Sequence, residues 1–355
     1  VDVPNLRLHN QGLNEPTFKE PGDAVAWLGA VQAQDYTGAK WALGMRLQGA
    51  TDASLDAAFN AGQILRTHVM RPTWHFVAPA DIRWLLSLTA PRVHAVNASL
   101  YRRLELDAPT FTRSHGVLEK ALEDGKHLTR QELRGTLQRA GISTQTGEGS
   151  LRLGYLMMRA ELDGIICSGP RRGKQFTYAL LQERAPNAKD LHRDEALAEL
   201  TRRYFTSHGP ALVKDFVWWS GLTTADARAG LEMLASDFSS ETIAGKTYWF
   251  PASKPPPGAT NTRAYLLPNY DEYIIGYTDH TGVFDPSYAG LLELVFPHSI
   301  VVEARVIGTW RRAFHGAGMT ITTKLFAPLT GSQTLALASA AENYARFLNA
   351  PVTLI

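Results

Sequence analysis

Two neutral amides, Gln32 and Gln34, stand one residue apart in the stretch VQAQDY, directly after the apolar run AVAWLGA. A glutamine amide is too weak a base to remove a proton, but its oxygen accepts from water and its dipole can face a positive charge. Two together suit a reaction whose leaving group is already good. Hydrolysis of the N-glycosidic bond of an N7-alkylated guanine is one: the cationic base departs neutral and leaves an oxocarbenium-like sugar. Such a step asks for a positioned water and a negative dipole under the sugar, not for a strong acid. The competing reading makes both amides backbone caps after a helix.

A second group lies in RTHVMRPTWH, where Thr67, His68, Arg71 and His75 are close enough to line a polar cleft. Strand alternation puts Thr67, Val69 and Arg71 on one face and Arg66, His68 and Met70 on the other. The two histidines have no third ligand nearby, so no metal site is expected, and no Gly-rich phosphate loop or G-x-S-x-G elbow implies a cofactor or a serine nucleophile. The single cysteine, Cys167, excludes an internal disulfide and reads as a buried, inert thiol.

At 355 residues the chain is too long for one small core, and two to four units are expected. Its 45% hydrophobic and 20% charged content is ordinary for a globular protein. No apolar run approaches the ~20 residues of a membrane span, and no signal-peptide pattern opens the sequence, so a cytoplasmic protein is expected. A formal net charge of +2 leaves any nucleic-acid binding to local charge.

Segment 112–182 carries three amphipathic helices, the second opened by the capping box Thr129 and Glu132, and then a strand, a Gly/Pro/Arg turn and a strand. Three helices and a β-hairpin is the order of a winged helix. The order recurs over 190–250, with Gly245-Lys246 at the hairpin tip. A weaker copy opens the chain, with helices over 22–31 and near 52–61 and a hairpin over 64–77 turning at Arg71-Pro72. Residues 78–111 read as two helices, each started by a proline. PASKPPPGATN at 251–261 reads as a linker. Short β-branched and aromatic runs beyond it suit a small antiparallel barrel, and 332–349 a last helix.

Segment 112–182 holds eleven Lys and Arg against seven acids. Arg152 and Arg159 are expected outward on its third helix, and Arg171, Arg172 and Lys174 at the hairpin tip, where they could neutralise phosphates without reading sequence. Arg311, Arg312 and His315, before a Gly-rich turn, are a second DNA-contact candidate; a surface ladder around a core Trp310 is the alternative.

Gln32-Ala33-Gln34 followed by DYTGAKWALGMRL, then LRTHVMRPTWHFVAPADIRWLL, LPNYDEYIIGYTD and VIGTWRR, together resemble the AlkZ/YcaQ family of bacterial DNA glycosylases over nearly the whole chain. The resemblance implies tandem winged helices and a β-barrel around a C-shaped DNA channel. It also implies excision of bulky N7-alkylguanine adducts, including both sides of interstrand crosslinks. The family's catalytic motif, Gln, apolar, then Gln or Asp, falls on Gln32, Ala33 and Gln34, as in the AlkZ branch associated with self-resistance to DNA-alkylating natural products. Asp stands at the position of Gln34 in the YcaQ branch.

The expected protein is thus an α+β chain of tandem winged-helix domains followed by a small antiparallel β-barrel. Its expected divisions are 1–111, 112–189, 190–250 and 251–355. It is expected to act as a monomeric, monofunctional, metal-free and cofactor-free glycosylase on double-stranded DNA containing alkylated guanine, in a bacterial nucleoid and away from membranes. Lys40, the lysine nearest the motif, is expected to be structural. The rivals are a tandem winged-helix transcription regulator, in which the glutamines only support the fold, and a drug-sequestering resistance protein.

Overall fold

The computed structural model describes residues 1–145, 151–253, 262–291, 297–316 and 318–355. Residues 21–77 run as helix Pro21–Leu28, strand Val31–Gln32, helices Tyr36–Gly44 and Asp52–Ala61, and the hairpin Leu65–Val69/Arg71–Val77. The three strands make one antiparallel sheet with Arg71–Val77 in the centre.

Residues 108–180 repeat this order: helix Ala108–Leu122, strand Leu128–Thr129, helices Arg130–Arg139 and Leu151–Leu162, and strands Ile166–Ser168 and Thr177–Leu180, the last again central. A third set comprises helices Arg193–Ser207, Val213–Ser220 and Thr224–Met233 and the hairpin Phe238–Ile243/Lys246–Pro251. A single bridge, Ala211 to Trp249, stands there in place of the short first strand. Capping boxes start the helices after Thr51, Thr129, Thr223 and Thr330, satisfying backbone N–H groups that the first turn leaves free.

Several expectations are corrected. The opening helix stops at Leu28, because Gly29 takes a left-handed φ of 82°, so Gln32 lies on a strand and not at a helix end. The hairpin turns at Met70, one residue before the expected pair. Residues 82–103 are one helix with Pro91 inside it; burial of Leu85, Leu86, Leu88 and Val93 in the core outweighs the hydrogen bond that proline removes. Arg152 is not outward: it is only 8% exposed, and its guanidinium donates to the carbonyls of Leu104, the C-cap of helix 82–103, and of Ser143, just beyond helix Arg130–Arg139. Most of the expected linker, 254–261, and the stretch 292–296 fall outside the described residues.

The C-terminal strands form one five-stranded sheet with Ala264–Leu267 and Val352–Leu354 at its edges. It is a curled half-barrel, not a closed antiparallel barrel. Helix Gly331–Leu348 crosses between Gly318–Leu325 and Val352–Leu354, and that crossover brings the last strand in parallel. Tyr344 and Phe347 of the helix pack on Trp41, and Tyr344 also on Trp310, so this sheet and the first unit share one core.

Candidate active site

Gln32 pairs with His75, and His75 with Thr67, so the three lie in one row across the first sheet and project from one face. Arg71 and Thr73 share that face by strand period. Gln32 is 6% exposed, whereas Gln34 is exposed beyond the strand end. The Arg71 guanidinium donates to Gln32 Oε1 at 2.8 Å. Arginine has only donors, so this contact settles which way the Gln32 amide faces: one lone pair of Oε1 is taken and the Nε2 hydrogens are turned away from Arg71. Gln34 Oε1 accepts from the Trp74 backbone N–H at 3.4 Å, a long contact.

Neither amide caps a helix. That position belongs to Asp35, whose carboxylate accepts from the N–H groups of Thr37 and Gly38, both at 3.1 Å. An aspartate directly before a helical pattern is a recognised start signal, and it was legible in the sequence.

The turn that aims Arg71 is strained. Met70 has φ 62°, which bulky residues avoid, and it is held there by Thr89 Oγ1 on its N–H and by close approach of its carbonyl to Gly221. A Cβ at Gly221 would come within 2.3 Å of that carbonyl oxygen, so only glycine fits. Trp218, 41% exposed, stands beside Arg71 with its ring centre 5.5 Å from the guanidinium carbon and its indole N–H on the Ile275 carbonyl.

At the outer edge of strand Val31–Gln32 lies a carboxylate from far along the chain. Glu272 is fully buried and accepts from the Gln32 backbone N–H at 3.0 Å and from Trp219 Nε1 at 2.9 Å; His208 Nε2 lies 3.3 Å away. Burial alone would push its pKa up, but His208, the Gln32 N–H and the Arg71 charge together bring it below the ordinary glutamate value. Burial is also the main reason that the Arg71 pKa is lowered. His75 is held down to about 3 by burial and by the Arg71 charge, so it is neutral, with Nδ1 3.0 Å from the Thr73 carbonyl. His75 Nε2, Thr67 Oγ1, Thr73 Oγ1 and Arg71 Nε have no hydrogen-bond partner among the described residues. A cluster of unpaired buried polar atoms is uncommon outside functional sites.

His68 is not in this row. It points to the other face, where it pairs with Glu161 and lies against Trp74, the two rings tilted by 41° with centres 4.3 Å apart. Lys40 is 3% exposed and bound to Asp52 and Asp56 at 2.8 and 3.0 Å. Burial pushes the Cys167 thiol up to about 12. Among the described residues, no group of three or more His, Cys, Asp or Glu side chains converges for a metal ion, and no helix is long and apolar enough to cross a membrane. A cavity of about 570 Å³ lies elsewhere, lined by Trp41, Met45, Leu266, Arg346 and Phe347.

The basic candidates divide. Arg171 is tied to Asp56 at 3.3 Å and lies over the rings of Tyr36 and Phe176, so it docks the hairpin onto the first unit. Arg159 is paired with Asp163 at 2.6 Å. Arg312, half-buried and on the same strand, Arg305–His315, as the core residue Trp310, lies over Tyr344. Arg172, although paired with Glu132, is more than half exposed, and Lys174, Arg311 and His315 are exposed. The residues that sequence reasoning missed are Glu272, Trp218 and Trp219. Glu272 had a signal, an acidic pair followed by the apolar YIIGY, but nothing local joined it to Gln32.

The family model described as DNA glycosylase AlkZ-like matches residues 25–347. A Streptomyces sahachiroi protein named Interstrand DNA cross-link repair glycosylase is 26% identical over 332 residues, covering 86% of this chain and 85% of that one. The solved structure of Streptomyces sahachiroi DNA glycosylase AlkZ superposes with a TM-score of 0.82 at 21% identity, over 100% of this chain and 98% of the other, which shows a shared fold. The chain belongs to the AlkZ-like family of DNA glycosylases.

Proposed function

We propose that the protein hydrolyses the N-glycosidic bond of cationic or bulky N7-alkylguanine adducts in double-stranded DNA, interstrand crosslinks included, with Gln32 and Gln34 as the catalytic pair. The observation that carries this is the placement of two side-by-side amides at the open end of the first sheet, one of them gripped by Arg71 and neither used as a helix cap. Gln32 keeps one Oε1 lone pair for a water and its Nε2 hydrogens for a sugar or phosphate oxygen. Gln34, reaching solvent, supplies the second acceptor for that water. An N7-alkylated guanine leaves without protonation, so two dipoles and a fixed water suffice. Thr67, Arg71 and His75 line the site.

The burial of Lys40 between two aspartates supports a monofunctional enzyme, since its amine is held away from a sugar C1′. The repeated helix, strand, two helices and hairpin support tandem winged helices as the DNA-binding frame, divided near 111, 189 and 250. Arg172, Lys174, Arg311 and His315 are proposed as its phosphate contacts. A monomer acting in a bacterial nucleoid completes the reading. Incubation with a duplex containing N7-methylguanine, and separately with a crosslinked duplex, tests it. Free N7-methylguanine and unhooked strands are expected; DNA binding without base release would turn the assignment to a regulator.

A further inference from the structure

The proposed reaction raises a problem of charge. Arg71 holds Gln32 by its side-chain oxygen, yet a guanidinium beside a sugar that becomes cationic opposes bond breaking, and the Gln-Ala-Gln motif contributes no negative charge to offset it. The nearest acids in sequence do not help. Asp35 caps a helix, and Asp52 and Asp56 are bound to Lys40.

Glu272 lies 240 residues from Gln32 and touches it directly, through the Gln32 backbone N–H at 3.0 Å. Its other oxygen is met by Trp219 Nε1 at 2.9 Å and by His208 Nε2 at 3.3 Å, and it is closed off from solvent. A buried carboxylate is strongly disfavoured unless its environment favours the charge, and here two N–H donors, His208 and the neighbouring Arg71 do so. Trp219 adjoins Trp218, the exposed aromatic beside Arg71, so one helix end links the carboxylate to the mouth of the site.

We propose that Glu272 is the positioning carboxylate of this active site: it fixes Gln32 from behind and offsets the Arg71 charge, so that Arg71 can orient the amide without raising the barrier to a cationic sugar. Glu272 touches neither DNA nor the reacting atoms. The inference rests on the glycosylase reading above, and a residue in this role supplies through the fold the charge that an Asp at position 34 would supply directly.

The test is single-turnover release of N7-methylguanine from duplex DNA, with DNA affinity measured on the same samples. Glu272→Gln should slow release by ~10²-fold while DNA is bound as tightly as before or more tightly, because Arg71 is left uncompensated. Glu272→Asp, which keeps the charge, should be faster than Glu272→Gln. Arg71→Gln, measured alone and added to Glu272→Gln, should give losses that fall well short of multiplying, since the unbalanced charge goes with Arg71 even as its grip on Gln32 is lost. A Glu272→Gln rate within twofold of the parent overturns the proposal, as does a loss of rate matched by an equal loss of affinity, or a double variant whose losses multiply. If Glu272→Gln does not fold, Glu272→Asp decides: more than a tenth of parent activity supports the role, and less overturns it. A parent protein that releases no base at all defeats the glycosylase reading, a different outcome from an active parent indifferent to residue 272.

Discussion

The first and second units share one topology and differ at one junction. In the second, strand Leu128–Thr129 runs straight into a helix, and Thr129, paired with Thr177 on the central strand, caps that helix by accepting from the Glu132 N–H. In the first, Gln32 occupies the equivalent place and pairs with His75, but the chain continues through Ala33 and Gln34 before Asp35 does the capping. Two residues, Ala33 and Gln34, separate the strand's last polar side chain from the cap. The polar group in the second unit is consumed by the backbone; in the first, two amides are released from that task. The proposed catalytic position is thus a loop extension within a repeated frame, without change to the sheet.

The largest effect expected from sharpening this contrast comes from charge at the released position. Gln34→Asp should retain or raise release of N7-methylguanine at neutral pH and add an acid limb. Activity is present above the pKa of the new carboxyl, near the ~3.9 of a free Asp because position 34 is exposed, and falls about tenfold per pH unit below it. A pH profile identical to that of an active parent would remove residue 34 from the chemistry.

A smaller effect tests how each unit meets DNA. With Arg171 committed to Asp56, only Arg172 and Lys174 of that hairpin remain for phosphates. Replacing both by Ala should flatten the log K against log[salt] slope by up to ~1.8, at about 0.9 per phosphate. Arg171→Ala should instead lower thermal stability. A slope unchanged by the pair would return the tip to ordinary solvated surface.

The smallest change is the control in the second unit. Thr129→Ala should cost about 1 kcal/mol of stability, as loss of an N-cap does, measured by denaturant unfolding, and leave base release unaltered. A rate loss there would mean that the two junctions are not functionally distinct.

Much of this contrast could be read from the chain itself, for local reasons. The Thr129–Glu132 box, the hairpin over 65–77 and the amide pair each announce themselves within a few residues. What stayed hidden depends on distant packing. Arg152 looks outward by helical spacing, but the carbonyls of Leu104 and Ser143 draw it in. Strand alternation already parts His68 from Thr67 and Arg71, but that Glu161, 93 residues on, holds it on the other face is not local information. Glu272 reaches Gln32 only because the C-terminal segment folds back over the first unit, a contact no window of sequence contains. The closing strand Val352–Leu354, three residues after the last helix, is not read from the sequence, and the helix before it sets its parallel direction.

The central claim is that the released amides perform the chemistry while the rest of the frame binds DNA. Single-turnover base release and DNA affinity, measured together for Gln32→Ala/Gln34→Ala and the parent on an N7-methylguanine duplex, test it most directly. The account predicts a rate lower by ~10²-fold or more with affinity nearly unchanged, as expected when water positioning and charge stabilisation are lost and phosphate contacts are kept. A folded double variant that releases base at the parent's rate would contradict it.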